Sequence, residues 1–250
     1  MKEDVIPVSI ITVCYNSEKT IRDTIESVLR QTYDNVEYFI IDGKSQDGTV
    51  EIANVYQERF RERGYGYRIL SEEDAGLYDA MNKGIRLASG ALIGIINGDD
   101  WYEPEAVCTA VEAYREETYD MFYADVRLIR QDGRSLIKHS RHDRFPTSRH
   151  WNHPTTFITK QIYEELGGYR NEGIHDDFEL FLRIRRAGKK IVIKNKVLAD
   201  FRSGGVSNNK SLASCRKRCR DRYRCYRING YSRWYLLECI AIEAAKALLG

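Results

Sequence analysis

"ALIGIINGDDWYEPEAV" (residues 91–107) decides the fold. Ala91–Ile96 is an apolar run of strand length, and Asn97 with Gly98 stops it. Asp99 and Asp100 follow at once, and Pro104 stands where the first turn of a helix begins. The stretch reads as a buried strand that ends on two neighbouring carboxylates and feeds a helix. Taken alone, "DD" before a helix is an acidic turn capping that helix.

The same alternation precedes it. "PVSIITVCY" (7–15), "VEYFII" (36–41) and "YRILS" (67–71) have strand character. Between them lie helical patterns: one capped by Asn16 or Ser17 with Ile21, Ile25, Val28 and Leu29 on one face, and one from Thr49 to Arg63 ended by Gly64. "GLYDAMNKGIRLASG" (76–90) is a third, and a fourth starts at Pro104 with Val107, Ala110, Val111 and Tyr114 on one face. Strand–helix alternation predicts an α/β fold, a mainly parallel central sheet flanked by helices. Such sheets bind ligands beyond the carboxyl ends of their strands. Those ends deliver Tyr15–Asn16, Asp42, Asp74 with Asp79, and Asp99–Asp100 to one rim. An acidic rim suits a hard divalent cation, which takes one or two carboxylates plus substrate phosphates, or the donors of a nucleobase and ribose.

The totals fit one large domain or a domain with an appendage: 250 residues, 42% hydrophobic, 30% charged, net charge +2. Bulk charge excludes a general polyanion binder. The six cysteines form no CxxC pair, the opening lacks a signal-type apolar core, and no run is long enough to span a bilayer. A reduced, cytoplasmic protein is the expectation. In the second half, "MFYADVRLI" (121–129) reads as a strand, "QDGR" (131–134) as a hairpin turn, "DFELFLRIRRAG" (177–188) as a helix closed by Gly188, and "KIVIKNKVLADF" (190–201) as one strand or two.

The joint pattern from "VSIITVCYNSEKT" through "IIDGKSQDGT" and "SEEDAGLYDAMNKG" to "IINGDDWY" resembles family 2 of the inverting glycosyltransferases, over residues 7 to about 205. Within it, the chain looks most like short enzymes of bacterial exopolysaccharide, O-antigen or colanic-acid synthesis. The resemblance implies the GT-A fold, a Rossmann-like sheet with a nucleotide-sugar-binding half (1–118) and an acceptor half (119–209). It implies that Thr12, Cys14 and Tyr15 line the base pocket and that Asp42 reads the nucleobase. Asp79 and Asn82 lie near ribose and diphosphate, with Lys83 either facing the phosphates or solvated. Asp99 and Asp100 form the DXD-type motif, Asp100 being the better ligand for Mn²⁺ or Mg²⁺. A UDP-sugar is the favoured donor, with GDP and dTDP as alternatives. Gly43 stands where relatives often carry a second Asp.

"GIHDDFELFLRI" (173–184) opens a helix on Asp176, Asp177 and Glu179. An acidic first turn suits the helix dipole. Inverting transfer also needs a base for the acceptor hydroxyl, and crowded carboxylates suit that role. The resemblance assigns the base to Asp177, with Asp176 beside it. In "HWNHPTTFITKQIYEELGGY" (150–169), His153 matches an acceptor-side position, and Trp151 suits either stacking on a sugar or core packing. The loop "FRSGGVSN" (201–208) resembles a glycine loop near the diphosphate, where Ser203 or a water replaces the histidine ligand of many relatives. No QxxRW signature occurs, which favours one sugar per encounter over processive synthesis.

Residues 210–250 form a basic helical tail. Lys210, Arg216, Lys217, Arg218, Arg220, Arg222, Arg224, Arg227 and Arg233 face one acid, Asp221, before Trp234. Either this is an amphipathic segment for an anionic membrane surface, where a lipid-linked acceptor would reside, or it is a solvated helix packing its Leu and Ile face on the domain. Two other functions fit parts of the chain. A nucleotidyltransferase shares the acidic rim but wants a glycine- and arginine-rich phosphate loop after the first strand, and "CYNSEKTIRDT" offers none. A non-enzymatic module binding anionic lipid or nucleic acid through the tail leaves the carboxylates unexplained, and no specific nucleic-acid partner is expected.

Overall fold

The computed structural model describes residues 5–203 and 211–249, with side chains through Lys246. The first half alternates as the periodicity predicts: β1 (Val8–Cys14), α1 (Ile21–Leu29), β2 (Val36–Asp42), α2 (Thr49–Val55), α3 (Gln57–Arg63), β3 (Gly66–Ser71), α4 (Leu77–Leu87) and β4 (Leu92–Asn97). A two-residue β5 (Trp101–Tyr102) and α5 (Ala106–Glu116) follow. The second half holds β6 (Met121–Ile129), β7 (Ser135–Lys138), β8 (Phe157–Thr159), α6 (Lys160–Leu166), α7 (Asp176–Arg186) and β9 (Ile191–Arg202), then α8 (Leu212–Ile228) and α9 (Tyr235–Leu249).

The nine strands among the described residues join one sheet in the order β3-β2-β1-β4-β8-β6-β9-β5, with β7 beside β6. β1 to β4 run parallel, β8 is antiparallel between β4 and β6, and β5 is antiparallel to β9. The sheet thus runs unbroken across the boundary between the two expected halves. Each face carries its own core, because alternate residues of a strand point to opposite sides. Ile10, Tyr38, Ile40, Leu92 and Ile96 pack with α1, α3 and α5. Ile11, Val13, Phe39, Ile41, Ile93 and Ile95 pack with α4, α7 and Tyr226 of α8. Burial on both faces is why these strands read as continuous apolar runs.

Several local expectations change. The first helix is not capped at Asn16 or Ser17 but begins at Ile21. Asn16 takes a left-handed φ of 48°, and its side-chain oxygen accepts from the Gln46 amide at 2.8 Å, so it orders the following loop instead. The single helix expected over 49–63 divides at Tyr56, whose buried ring turns its hydroxyl to Glu26 at 2.9 Å. Residues 191–202 are one strand, with an irregularity in register near Asn195.

The tail is a helical hairpin docked on the domain. Glu243 of α9 pairs with Arg218 and Arg222 of α8, and Tyr226 stacks on Tyr235. Its packed face is not the Leu and Ile one: Arg218, Arg222, Cys225, Tyr226, Cys239 and Ile242 are buried, whereas Leu236, Leu237 and Ile240 face outward.

Candidate active site

Strand register assembles the rim. Cys14 lies opposite Asp42, Asp42 opposite Ser71, and Val13 opposite Asn97, so the ends of β1, β2, β3 and β4 are level. Tyr15 is exposed there. Gly43 sits against it: a Cβ at that position would come within 3.0 Å of Asp74 Oδ2 and 3.4 Å of the Tyr15 ring. A side chain there would have to displace Asp74 or Tyr15, so the glycine lets this loop pack closely between them. Asp42 is fully buried. Its carboxylate accepts from Ser45 N at 3.0 Å and Ser71 Oγ at 2.6 Å, as well as from the Ser45 hydroxyl. It ties the loop after β2 into shape. Cys14 is a buried wall, its thiol pushed upward first by burial and then by the charge of Asp42.

Thr12 does not reach this rim. Its side chain is buried two residues inside β1, and its hydroxyl accepts from Tyr38 Oη at 2.9 Å in the core. The expectation that it lines the base pocket is corrected by strand geometry: Thr12 sits too deep in the sheet.

The α4 residues do structural work first. Asp79 accepts from the Ala75 amide at 3.0 Å, and that bond with the nearby Lys83 holds its carboxyl below the ordinary range. Lys83 is neither a free phosphate ligand nor a solvated lysine. Its ammonium pairs with Asp74 at 2.6 Å and Glu72 at 2.9 Å, which outweigh burial and raise its pKa. Asn82 spends both ends of its amide on the Tyr169 backbone, at 2.8 Å each. A Cβ on Gly168 would lie 2.2 Å from Asn82 Oδ1, so "NKG" and "GGY" are two sides of one contact. Asn82 is thereby a clamp between halves, with one N–H and one lone pair of its amide still free.

The pair at the end of β4 is different. Asp100 is fully buried; its Oδ1 accepts from the Arg202 amide at 2.9 Å, while Oδ2 has no partner. Burial, then the charge of Asp99, push Asp100 well above the carboxylate range, and burial raises the half-buried Asp99 as well. Asn97 Oδ1 is a second buried oxygen without a partner. Unpaired buried oxygens are costly, and such a set of hard oxygen donors fits Mg²⁺ or Mn²⁺. Among the described residues no group of three or more His, Cys, Asp or Glu stands together to hold a metal ion. Arg202, which sequence reasoning missed, lies over the Trp101 ring at 4.8 Å, binds Asp23 at 2.9 Å, and offsets both carboxylates. Its position depends on the β5–β9 pairing, for which a two-residue strand gives no local signal. Ser203 donates to the Ile129 carbonyl at 2.8 Å. The glycine loop beyond it lies outside the described residues.

At the start of α7, the expected crowding of acids is resolved by arginines. Asp176 is fully buried and accepts from the Gly173 amide at 2.8 Å, the Glu172 amide and Arg224. Its expected acceptor-side role is corrected, since every oxygen is engaged in holding the loop and α8. Buried Glu179 pairs with Arg170 at 3.1 Å and Arg183 at 2.8 Å. Asp177 is half-buried and accepts from Tyr78 Oη at 3.0 Å. His153 lies near it, with Nε2 3.3 Å from Tyr169 Oη. Burial holds His153 below the ordinary imidazole range, with the charge of Asp177 opposing, so a neutral ring is favoured. Lys138 donates to the Trp151 carbonyl at 2.8 Å, and burial with the charge of Lys246 pushes it down to about 8. Trp151 is core: it is buried, donates from Nε1 to Thr156 Oγ1 at 3.1 Å and stacks on Phe181 at 5.1 Å, which corrects its use as a sugar platform.

One carboxylate pair stands after β4 and another at the start of α7, and sequence comparison gives the family. The Glycosyl transferase family 2 model matches residues 9–179, more than half of the chain, and the protein belongs to that family. It is 29% identical over 214 residues to the putative teichuronic acid biosynthesis glycosyltransferase TuaG of Bacillus subtilis, covering 83% of this chain and 84% of TuaG. Against the putative glycosyltransferase EpsH of Bacillus subtilis, identity is 37% over 98 residues, which is 39% of this chain but only 27% of EpsH. Among solved structures, residues 1-349 of S. aureus TarS in complex with UDP-GlcNAc superimpose with a TM-score of 0.68 at 16% identity, over 98% of this chain and 73% of that one. The mannosyltransferase PcManGT of Pyrobaculum calidifontis, in complex with GDP-Man and Mn2+, gives 0.69 at 17% identity over 98% and 70%. The fold is the GT-A fold. Among the described residues no helix is long and apolar enough to cross a membrane.

Proposed function

We propose that the chain moves one sugar, with inversion, from a nucleotide-diphosphate sugar to a hydroxyl of a lipid-linked or oligosaccharide acceptor in cell-surface polysaccharide synthesis. The unpartnered, buried Oδ2 of Asp100 at the end of β4 carries this reading. An oxygen kept dry and unpaired beside a second carboxylate has a purpose if a cation and a diphosphate arrive together. UDP is the favoured nucleotide; TarS is crystallised with UDP-GlcNAc, and PcManGT with GDP-Man.

Asp99 and Asp100 would hold Mn²⁺ or Mg²⁺, which supplies charge neutralisation to the departing diphosphate. Tyr15 offers its exposed ring to the base, with Gly43 packed closely beside it and Asp42 and Cys14 as the floor. Asp79 and Lys83 keep the loop before α4 in place beneath the donor. Asp177 takes the acceptor hydroxyl proton as the new oxygen–carbon bond forms. The bond from the anomeric carbon to the diphosphate breaks on the opposite face, and the nucleoside diphosphate leaves. Tyr78 holds the Asp177 carboxylate toward the acceptor, and neutral His153, bonded to Tyr169, lies nearby.

Thermal stability tests this with UDP, GDP, dTDP and ADP, each with and without Mn²⁺. One nucleotide at about a hundred times its Kd should stabilise the fold by roughly 2.7 kcal/mol. The shift should need Mn²⁺ and vanish in Asp100→Asn. A folded sample that responds to no nucleotide would sink the proposal.

A further inference from the structure

We propose that the outer face of the α8–α9 hairpin docks on an anionic lipid surface. On α9 and just before it, Trp234 (74% exposed), Leu237 (61%), Ile240 (51%) and Leu236 (40%) form an apolar stripe facing outward. A helix that turns Leu236, Leu237 and Ile240 out and buries Cys239, Ile242 and Glu243 instead has an unpartnered apolar face there. The neighbouring helix supplies its charge. Arg216, Lys217, Arg220 and Arg227 are exposed at helical spacing on α8, and Arg233 is exposed at the turn. No acid between 211 and 246 is exposed: Glu243 is buried, and Asp221 and Glu238 are half-buried.

This combination selects the occupant. A second copy of the chain meeting this face symmetrically would bring like charges together. A nucleic acid would use the cations and leave Leu237 and Ile240 without a role. An anionic bilayer uses both, with cations at the lipid phosphates, Trp234 at headgroup level and the aliphatic residues beneath.

Docking there would also fix the orientation of the catalytic cleft. The hairpin is bolted to α7 through the Arg224–Asp176 pair, the Cys225 thiol on the His175 carbonyl, and Tyr226 edge-on to Phe178 at 5.4 Å. A surface bound to α8–α9 is therefore held at a set distance from Asp177, the place where a lipid-linked hydroxyl must arrive. The docking itself does not depend on transfer chemistry.

The test is co-sedimentation of the full chain with phosphatidylglycerol-containing vesicles and with pure phosphatidylcholine vesicles. Binding should occur on the anionic vesicles and fall as salt is raised from roughly 0.05 M to 0.5 M. Leu237→Glu with Ile240→Glu should weaken it about tenfold or more, and Arg216→Glu with Arg220→Glu should do the same. Both pairs sit on exposed positions, so the melting temperature and its response to nucleotide should stay unchanged, which separates this result from failure of the transferase reading. Equal binding by wild type and both variants would overturn the proposal. So would absence of wild-type binding, or a wild-type dimer that Leu237→Glu with Ile240→Glu dissociates without any vesicle binding.

Discussion

The chain contains two Asp–Asp pairs, 99–100 after β4 and 176–177 at the start of α7, and they are built in opposite ways. In each, one carboxylate is fully buried and its neighbour half-buried. The buried member of the second pair, Asp176, is compensated at both oxygens by two backbone amides and the Arg224 guanidinium. The buried member of the first, Asp100, is compensated at one oxygen and left alone at the other. Burial by itself therefore does not mark a functional carboxylate. The accounting of lone pairs does, since a satisfied buried charge is structural and an unsatisfied one is a site that a ligand must complete. On the proposed reading, the buried residue of the first pair holds the cation, and in the second the half-buried neighbour is the base.

The largest effect should come from breaking the second pair on its chemical side. Asp177→Asn removes the proposed base while keeping shape, and kcat for sugar transfer should fall about 10²- to 10⁴-fold. Its melting temperature should stay near wild type. A variant that keeps its rate would move the base elsewhere and undo the contrast drawn here. Breaking the same pair on its structural side should cost stability instead. Asp176→Ala leaves Arg224 with Glu172 alone and strands two amides, a loss of about 3–5 kcal/mol, which lowers the melting temperature by upwards of about 6 °C. Calorimetry measures it.

The first pair should respond with the opposite sign. Asp100→Asn removes a charge that is buried and half-compensated, so the variant without cation should be more stable than wild type, by about 1–3 kcal/mol near neutral pH. The pH dependence follows from its raised pKa. Between the unfolded value and the folded one, the folded state holds the extra proton, so this residue's contribution is present at low pH and lost as pH rises through the folded pKa. The difference between Asp100→Asn and wild type should therefore widen from pH 4.5 to pH 8, and Mn²⁺ should narrow it by stabilising wild type alone. Melting curves across that pH series, with and without Mn²⁺, decide it. A variant less stable than wild type throughout would mean that Oδ2 has a partner.

How much of this was legible in the sequence depends on range. The strand ends and the Asp99–Asp100 turn follow local grammar: strand-length apolar runs, a stop at Asn97–Gly98 and a helix after Pro104. The family pattern spans the same residues. What could not be read are contacts that depend on how the sheet is ordered. Asn82 and Tyr169 are 87 residues apart, and Tyr78 and Asp177 are 99 apart. The only trace in the sequence was that Tyr78 and Asn82 lie one turn apart on the helix that also carries Asp79. Thr12 was misread, and Trp151 left undecided, for a different reason. A polar or aromatic residue in an apolar run looks the same whether it points at a ligand or into the core, and only register and packing separate the two. The outward face of α9 was hidden because "YLLECIAIEAAKALL" is apolar nearly all round, so periodicity could not choose which side would be buried.

The smallest effect tests whether the two carboxylate centres are coupled. Tyr78 precedes Asp79 on α4, and its hydroxyl donates to Asp177 at the start of α7. The tyrosine itself is buried, and burial followed by the charge of Asp177 pushes its hydroxyl upward, so it stays a hydrogen-bond donor through neutral pH. A donor to the carboxylate favours its ionised form. Tyr78→Phe keeps the ring and deletes one hydrogen bond, worth about 0.5–1.5 kcal/mol. If Tyr78 positions the base, kcat should fall roughly 2- to 10-fold by that energy, KM for the donor should hold, and the acid limb of the pH–rate profile should move to higher pH. If Tyr78 only packs against Tyr169, the melting temperature will drop while the pH profile stays in place. The first result would make α4 the element through which donor and acceptor sides are set against each other; the second would leave the two pairs as independent sites on one sheet.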